Sequence, residues 1–354
     1  MYINSIKQEA TMKNTQKRKT VPIFFAVDDN YAPYLAVAIE SLKDNASDRY
    51  FYDINILIEG LSDRFKTIIG GMQEENIKIT FRDVTEKVNT LCERLHLRDY
   101  YTRATYYRFF IPDMFPQYNK GLYLDCDIAI TRDVAEMFIT PLGSNLVGAM
   151  SEEVITDIDV FGTYSEVVLG VPRNKYFNAG ILVMNLREMR KMKIEEVFAS
   201  LLNVKTYSVA QDQDYLNVIC HGRVKMLDLL WNKTPMPYSD PDRIPYIAHY
   251  KINFKPWKYD GILYGDLFWK YAERTPFYSE LLNAKNNYSD SDKKRDEDQY
   301  NSLEALAKRE TEDELVHCEA LKNDNSATFR IMGLESIVED FICGSNRLVG
   351  VEAD

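Results

Sequence analysis

The stretch VPIFFAVDDNYAPYLAVAIESL, residues 21 to 42, decides the fold of this chain. Its opening residues are an apolar run typical of a buried strand, and a polar Asp-Asp-Asn group at 28 to 30 ends that run. A helical pattern with one apolar face then extends from 31 to about 45. The same alternation continues with strands at 52 to 58 and 77 to 84 around a helix at 63 to 76. Strands that alternate with helices predict an α/β fold, in which a mostly parallel sheet is flanked by helices.

Two aspartates interrupt the next apolar run, GLYLDCDIAI at 121 to 130. Side chains alternate along a strand, so a continuous strand would turn Asp125 and Asp127 to the same face. Neighbouring buried carboxylates repel each other and lose hydration, which is costly unless a cation lies between them. The pair therefore predicts a divalent metal site, with Mg²⁺ or Mn²⁺ as ions that suit hard oxygen ligands. Taken alone, the pattern is also typical of a strand end where Asp begins a turn.

The predicted ligand edge of the sheet follows from the strand directions. Parallel α/β sheets bind ligands at the carboxyl ends of their strands. Asp28 and Asn30 directly follow the first predicted strand, and Asp127 lies toward the end of the strand predicted at 121 to 130. Later segments alternate less regularly, with strand-like runs at 146 to 150, 178 to 185 and 224 to 231 and helical runs at 186 to 203 and 212 to 221.

The domain organisation is predicted from length and composition. The 354 residues suggest about two domains, or one large domain with an appendage. The polar N-terminus predicts a mobile arm, and the charge-rich run after 288 predicts a linker, followed by helical patterns near 301 to 322 and 334 to 343. The prediction is therefore an arm at 1 to 20, a folded domain at 21 to 287, and a linker with a helical C-terminal appendage at 288 to 354.

The acidity of the chain belongs mainly to its C-terminal part. Residues 288 to 354 carry 17 acidic and 8 basic side chains, net −9, which leaves −2 of the total −11 for the rest. The folded domain has no extended basic stripe, so nucleic acid is not an expected partner. No run approaches the ~20 apolar residues of a membrane span, and no signal-peptide pattern is visible, which predicts a cytoplasmic protein. Five cysteines without a C-x-x-C pair predict neither a disulfide framework nor a thiolate zinc site.

Several motifs in a fixed order resemble glycosyltransferase family 8, the retaining nucleotide-sugar transferases that include bacterial lipopolysaccharide galactosyl- and glucosyltransferases. They are FAVDDNYAPYLAVAIESL at 25 to 42, LYLDCDIAI at 122 to 130, YFNAGILVMNL at 176 to 186, DQDYLN at 212 to 217 and HYKINFKPW at 249 to 257. The resemblance covers roughly residues 21 to 280 and is far more specific than D-x-D alone. It implies a GT-A-like, Rossmann-type fold with a catalytic domain at 21 to 287.

The resemblance implies a donor site for a UDP-sugar at the end of the first strand. By this resemblance, Asp28 and Asn30 hold the uracil and ribose, and Ala26 and Tyr31 line the base. Lys255, followed by a Pro and a Trp that stiffen the turn, meets the diphosphate as a point charge. A solvated surface lysine is the alternative interpretation of Lys255.

The resemblance also adds a third metal ligand to the aspartate pair. His249, which would usually be a hydrogen-bonded core residue, joins Asp125 and Asp127. A mixed Asp, Asp, His set favours Mn²⁺ over Mg²⁺, which prefers all-oxygen shells. One departure occurs nearby, because relatives often carry Gly three residues after the His and this chain has Ile252. The departure argues against a backbone contact to the phosphates there, but not against Lys255.

The residues implied around the donor sugar come from three motifs. Arg108 resembles the family's arginine near the sugar, with Arg103 as a competing candidate and a structural ion pair as the alternative. Asn178 and Asp212 are implied to bind sugar hydroxyls, and Gln213 to lie beside the anomeric carbon. Without the resemblance each is an ordinary helix or turn residue.

The predicted activity is metal-dependent transfer of glucose or galactose from UDP-glucose or UDP-galactose to a hydroxyl of a cell-surface glycan or glycolipid, with retention. Gln213 is a poor nucleophile, so front-face attack is preferred over double displacement. One alternative is a nucleotide-sugar hydrolase or nucleotidyltransferase, which usually carries a Gly-rich phosphate loop in place of the group at 28 to 30. The other is a noncatalytic UDP-sugar or glycan-binding protein. Loss of a metal ligand would indicate it, and none is lost.

The sequence gives weaker indications about the acceptor and further partners. We expect the segment at 151 to 175 to shape the acceptor side of the site. The acidic C-terminal part predicts at most a peripheral contact with the inner face of the membrane. The apolar pattern within 334 to 342 is expected to pack on the folded domain or on a second subunit, which keeps a homodimer open.

Overall fold

The structure is a computed structural model that describes residues 18 to 89 and 103 to 323. Most of the arm predicted at 1 to 20 and the helical pattern near 334 to 343 lie outside these ranges. The homodimer prediction rests on that pattern and is left without support. The first strand begins two residues earlier than predicted, at Lys19.

The alternation of strand and helix predicted for the first part of the chain is confirmed. Three parallel strands open the sheet: β1 (Lys19–Val27), β2 (Tyr50–Ile58) and β3 (Ile77–Asp83). Helix α1 (Ala32–Asn45) connects β1 to β2, and helix α2 (Asp63–Gly70) connects β2 to β3. β1 and β2 are nearly continuous apolar runs because both faces of a parallel sheet are covered by helices. Helix α2 is shorter than predicted and ends where Gly71 donates back to the carbonyls of Thr67 and Ile68.

Four further strands complete the central sheet: β4 (Gly121–Leu124), β6 (Val147–Ala149), β7 (Ile181–Met184) and β8 (Val224–Met226). Within the described residues the sheet has seven strands, in the order β3-β2-β1-β4-β7-β6-β8. Strand β4 is parallel to β1, and β7 is antiparallel to both of its neighbours. The strand order reverses between β1 and β4, which is where open α/β sheets bind ligands.

The continuous strand predicted at 121 to 130 is wrong. β4 ends at Leu124, and the chain then leaves the sheet to form β5 (Ile128–Ile130), which pairs antiparallel with β9 (Ile247–His249) in a separate small sheet. The Asp125 N–H donates to the Gly180 carbonyl at 2.7 Å, and the Asp127 carbonyl accepts from the Tyr250 N–H at 2.9 Å. The two aspartates thus lie in the crossing between two sheets, and alternation along one strand does not explain their orientation.

Two further boundaries differ from the sequence prediction. The strand predicted at 224 to 231 ends at Met226, because the Asp228 side chain accepts from the Leu230 N–H and begins a 3-10 helix, Leu229–Asn232. The helix predicted at 186 to 203 is two helices, since Lys193 between them has a left-handed backbone with φ of 56°.

Helices cover both faces of the sheet, and the sheet separates the core into two apolar clusters. Those after α2 are α3 (Thr85–Asn89), a 3-10 helix (Arg103–Phe109), α4 (Ile111–Met114), α5 (Ala135–Phe138), α6 (Glu153–Asp157), α7 (Asp159–Val167), a 3-10 turn (Arg173–Lys175), α8 (Leu186–Lys191), α9 (Ile194–Val204), α10 (Asp212–Ile219), α11 (Gly265–Ala272) and α12 (Tyr278–Asn286). Within the described ranges, no helix combines the length and apolar character that crossing a membrane requires.

The linker predicted from residue 288 is also wrong, because a long helix, α13 (Asp290–Asn323), occupies this region. Ser289 and Asp292 cap its start reciprocally, each side chain accepting from the backbone N–H of the other. Ion pairs three and four residues apart, from Lys294 to Glu297 and Asp298, support its first turns. Helix α13 packs on α7, so the C-terminal appendage contacts the folded domain.

Candidate functional site

A deep cleft opens at the carboxyl ends of β1 and β4, at the switch in strand order. It encloses about 1200 Å³ of space, part of it open to solvent. Eleven of the twelve predicted site residues line it: Ala26, Asp28, Tyr31, Arg108, Asp125, Asp127, Asn178, Asp212, Gln213, His249 and Lys255. Asn30 is exposed and does not line the cleft, so its role with the donor stays a prediction.

Asp125, Asp127 and His249 converge on one point of this cleft. Nε2 of His249 lies 3.7 Å from Oδ2 of Asp125 and 3.3 Å from Oδ1 of Asp127. One ligand atom from each residue lies within 4.8 Å of the others. Two carboxylate oxygens and one imidazole nitrogen at this spacing fit a divalent cation, and the mixed donor set suits Mn²⁺.

A cation of the protein holds the second oxygen of each aspartate. Arg108 Nη2 lies 3.2 Å from Oδ1 of Asp125, and Lys255 Nζ donates to Oδ2 of Asp127 at 2.8 Å. Burial alone would raise the pKa of Asp127, but Lys255 and His249 outweigh it and lower that pKa well below its usual range. Asp127 is therefore ionised at neutral pH, and each carboxylate keeps one oxygen directed at His249.

Asn232 sets the tautomer of His249. Its Oδ1 lies 2.8 Å from Nδ1 of His249, and its own amide N–H donates to Oδ1 of Asn178 at 2.8 Å. Since Oδ1 of Asn232 can only accept, Nδ1 of the imidazole carries a proton, and Nε2 is the ring nitrogen that faces the carboxylates and would bind a metal ion. Sequence reasoning missed Asn232, which lies in the 3-10 helix Leu229–Asn232 outside the motifs that were recognised.

Gly180 allows the backbone to approach the cluster of Asp125, Asp127 and His249 closely. A Cβ atom at this position would lie 2.5 Å from Cε1 of His249, and it would also clash with Oδ2 of Asp125. Real Cβ atoms essentially never make such contacts. The glycine of the YFNAGILVMNL motif is therefore required by the close packing of Asp125 and His249 against the start of β7.

An amide network connects Gln213 to this cluster. Oε1 of Gln213 accepts from the Asn178 side-chain amide at 3.0 Å and from the Ala179 N–H at 2.9 Å. The Gln213 amide N–H donates to the Tyr176 hydroxyl, which in turn donates to the buried carboxylate of Asp214 at 2.6 Å. Both ends of the Gln213 side chain are thus fixed. Sequence reasoning quoted the segment that contains Asp214 but assigned this residue no role.

Of the two arginine candidates, Arg108 is the one in the cleft. It is 3% exposed, and its Nε lies 3.1 Å from Oδ2 of Asp212. Burial raises the pKa of Asp212 to about 6, although Arg108 partly counteracts this effect. Arg103 instead forms an ion pair of 3.0 Å with Glu59 at the surface.

Glu152 and Lys251 form a buried ion pair that sequence reasoning missed. Both line the cleft, and Glu152 also accepts from the Asn178 amide at 2.6 Å. Burial would raise the pKa of Glu152, but Lys251 outweighs it and lowers that pKa. The cleft lining from the predicted acceptor segment at 151 to 175 consists of Glu152, Val154, Ile155 and Phe161.

Ile252 adopts a backbone conformation that glycine takes far more readily. Its φ of 53° lies in the left-handed region, where a β-branched residue is rare. This conformation costs roughly 1–2 kcal/mol for a residue with a Cβ. Ile252 lines the cleft beside Lys255, so the strained backbone lies within the site.

Such a sheet, with the cleft and its acidic cluster at the switch point, defines a GT-A-like glycosyltransferase. The chain belongs to glycosyltransferase family 8, because the family model described as glycosyl transferase family 8 matches residues 22–261. This match covers the strands and motifs described above.

Individual relatives agree with this assignment. The chain is 27% identical to the lipopolysaccharide 1,2-glucosyltransferase of Escherichia coli over 70% of its length and 75% of that protein. It is 32% identical to a glycosyltransferase-type protein of Haemophilus influenzae over 61% of its length, and this match spans only 64% of that relative.

Solved structures show the same architecture. The bifunctional glycosyltransferase WbbM superposes with a TM-score of 0.67 at 26% identity, over 77% of this chain and 53% of that one. The galactosyltransferase LgtC, solved with donor and acceptor sugar analogs, gives a TM-score of 0.60 at 25% identity, over 72% of this chain and 96% of that one.

Proposed function

We propose that this protein transfers glucose or galactose from a UDP-sugar to a hydroxyl of a cell-surface glycan or glycolipid, in a metal-dependent reaction that retains the anomeric configuration. Membership of the family supports glycosyl transfer. The names of two relatives, a lipopolysaccharide glucosyltransferase and a galactosyltransferase, support a hexose donor and a glycan acceptor.

The observation that carries the proposal is the convergence of Asp125, Asp127 and His249 at the switch point of the sheet. These residues would hold Mn²⁺ or Mg²⁺, and the nitrogen ligand favours Mn²⁺. When bound, the ion would neutralise the charge of the leaving diphosphate. The protein contributes to this site by fixing its ligands through Arg108 and Lys255.

The residues proposed to bind the donor surround this cluster. Ala26 lies near the end of β1, Asp28 and Tyr31 follow the strand, and all three would bind the uridine. Lys255 is buried and already contacts Asp127, so its charge is available next to the phosphates at no further desolvation cost. Burial of Lys255 argues against the alternative that it is a solvated surface lysine.

Front-face attack agrees with the state of Gln213. Its carbonyl oxygen already accepts two hydrogen bonds, which further weakens it as a nucleophile. The acceptor hydroxyl would then lose its proton to the leaving phosphate oxygen as the C1–O bond breaks. Asn178, Asp212 and Arg108 would position the sugar and share the charge that develops.

The Gln213 proposal has a direct test in transfer kinetics. We expect Gln213→Ala to retain measurable turnover, because its role would be to position the sugar, whereas Asp127→Asn removes a metal ligand and abolishes turnover. If the two variants were equally inactive, double displacement through Gln213 would become the better mechanism.

The function itself is tested by isothermal titration of UDP-glucose and UDP-galactose with Mn²⁺ or with EDTA, while UDP release is measured in the same samples. We expect Mn²⁺-dependent binding of one donor and slow hydrolysis, which the matched variants Asp125→Asn and Asp127→Asn should lose. Metal-dependent binding without release, even with glycan acceptors present, would favour a binding protein. Release that no acceptor accelerates would favour a hydrolase.

A further inference from the structure

Helix α13 lies beyond the part of the chain that the family model matches, yet it contributes to the cleft. Leu303 of this helix lines the cleft wall, Ala307 is fully buried, and Phe161 of α7 packs edge-on against Tyr300. The helix is therefore part of the architecture around the site.

Asp296 on α13 is a buried carboxylate with a dense set of donors. It is 4% exposed, and its oxygens accept from Lys258 Nζ at 3.0 and 3.1 Å. The hydroxyls of Tyr259 and Tyr288 also donate to Oδ2, at 2.9 and 2.7 Å. Burying a carboxylate is costly, and this set of partners offsets the cost. Two of these partners, Lys258 and Tyr259, come from the loop after β9 that also carries Lys255, so the contact has a consequence beyond stability.

Two of these partners belong to the loop that carries Lys255. The backbone N–H groups of Lys258 and Tyr259 both donate to the Lys255 carbonyl at 3.0 Å, so the three residues form one tight turn. Asp296 holds the far side of this turn through the Lys258 and Tyr259 side chains. On the near side, Lys255 donates to Asp127 at 2.8 Å. A continuous series of hydrogen bonds and ion pairs thus joins α13 to the cluster of Asp125, Asp127 and His249.

The loop also carries the strained backbone of Ile252. A residue in the left-handed region persists only where the surroundings hold it. The Asn253 side-chain amide, next to Ile252, reaches the backbone carbonyl of Asp296 at 3.5 Å, which adds a second contact between loop and helix.

We propose that Asp296 is a positioning residue that holds the loop at 250 to 259 so that Lys255 meets the diphosphate of the nucleotide. This inference rests on the proposed function, because it assigns Lys255 to the nucleotide side. Asp296 is not among the residues that line the cleft. It acts through the turn of Lys255, Lys258 and Tyr259.

The test compares Asp296→Asn with Glu314→Gln, a matched loss of one carboxylate on the same helix. Glu314 pairs with Lys205 at 2.8 Å, a contact between α13 and the end of α9 that is separate from the loop. We measure UDP binding in the presence of Mn²⁺ by isothermal titration, KM and kcat for the donor, and the midpoint of thermal unfolding. We expect Asp296→Asn to weaken UDP binding roughly tenfold and to raise KM, because a misplaced binding group loses much of its effect.

Glu314→Gln is expected to leave UDP affinity at the wild-type value, even where both variants lower the unfolding temperature equally. Should Asp296→Asn fail to fold, Lys258→Met and Tyr259→Phe remove its loop partners and should weaken UDP binding in the same direction. If the folded variants at Asp296, Lys258 and Tyr259 bound UDP as tightly as the wild type, this inference would be wrong but the proposed function would stand. The same conclusion would follow if Glu314→Gln lost as much UDP affinity as Asp296→Asn. A wild-type protein that binds no UDP would overturn the proposed function as well.

Discussion

Replacing Gly180 by alanine tests the geometry of the cluster with the smallest change available. The new Cβ would lie 2.5 Å from Cε1 of His249, whereas ordinary contacts begin at 3.4 Å. The shortfall of 0.9 Å must be absorbed by His249, by Asp125 or by strand β7. Metal ligands tolerate displacements of only about 0.2 Å, so any of these movements disturbs the site.

We expect two measurable effects of Gly180→Ala. Overpacking of a buried position costs about 1–3 kcal/mol, which should lower the free energy of unfolding by that amount. Displacing Asp125 and His249 should also weaken Mn²⁺ binding in the presence of UDP by at least about tenfold. Changes to groups that orient metal ligands usually reduce metal affinity by about 10- to 100-fold, and the expected loss is the lower limit of this range. Urea unfolding measures the first effect, and isothermal titration with Mn²⁺ measures the second.

Gly70→Ala provides the matched control for this substitution. A Cβ at Gly70, the last residue of α2, would meet only the ring of Phe81, at an ordinary 3.6 Å. It should leave Mn²⁺ affinity unchanged. The reasoning fails if Gly180→Ala binds Mn²⁺ as tightly as the wild type, or if both alanine variants lose affinity to the same degree.

Substitutions at three further positions probe the surroundings of the site. Asn232→Ala removes the acceptor of the His249 Nδ1–H and should weaken Mn²⁺ binding with UDP roughly 10- to 100-fold, with Asn232→Asp weakening it less; an unchanged titration would exclude the orienting role. Burial raises the pKa of Asp214 to about 6, above its unfolded value of 3.8. The folded state therefore holds the Asp214 proton more tightly than the unfolded state, and this contribution to stability is complete below about pH 4 and is lost as the pH rises through about 6. The unfolding free energy of the wild type relative to Asp214→Asn should therefore fall by about 3 kcal/mol between pH 4 and pH 7, and a flat difference would contradict the pKa. Ile252→Gly should be more stable than Ile252→Ala in urea unfolding, since only glycine relieves about 1–2 kcal/mol of strain, and the reverse order would contradict it.

The sequence is a good guide where the relevant interactions are local. The alternation of β1, α1 and β2 follows from apolar periodicity within single elements, and the structure confirms it. The chemistry of the carboxylate pair predicts a metal site but also leaves a strand-end turn open, and the structure brings the pair together with His249. The inclusion of His249 depended on the resemblance, since a lone histidine on an apolar strand is usually a core residue.

The sequence is a poor guide where the partner is distant in the chain. The apolar pattern of 121 to 130 fits one strand as well as two. At the break between them, the Asp125 N–H donates to the Gly180 carbonyl and the Asp127 carbonyl accepts from the Tyr250 N–H. Asn232 and Glu152 are ordinary polar residues until folding brings them to His249 and Asn178. Their roles could not be deduced from composition or spacing.

The error at the C-terminal linker has a different cause. A charge-rich run is often solvated and irregular, but here opposite charges recur three and four residues apart and Ser289 begins the helix. Both signals are local and were present in the sequence. The density of charge by itself says little about helix formation. The spacing between positive and negative residues is the informative feature.

Ile252 combines these lessons in one residue. The absence of the glycine expected there argued against a backbone contact with the phosphates, yet the chain keeps the left-handed conformation that glycine would adopt. A local preference of roughly 1–2 kcal/mol is thus overruled by the tertiary structure. The loop that contains Ile252 is restrained by α13, where Asp296 binds the Lys258 and Tyr259 side chains and its carbonyl accepts from the Asn253 amide. The left-handed backbone of Ile252 therefore lies in a loop that is held from two sides, by the Asn253 contact with α13 and by the Lys255 contact with Asp127.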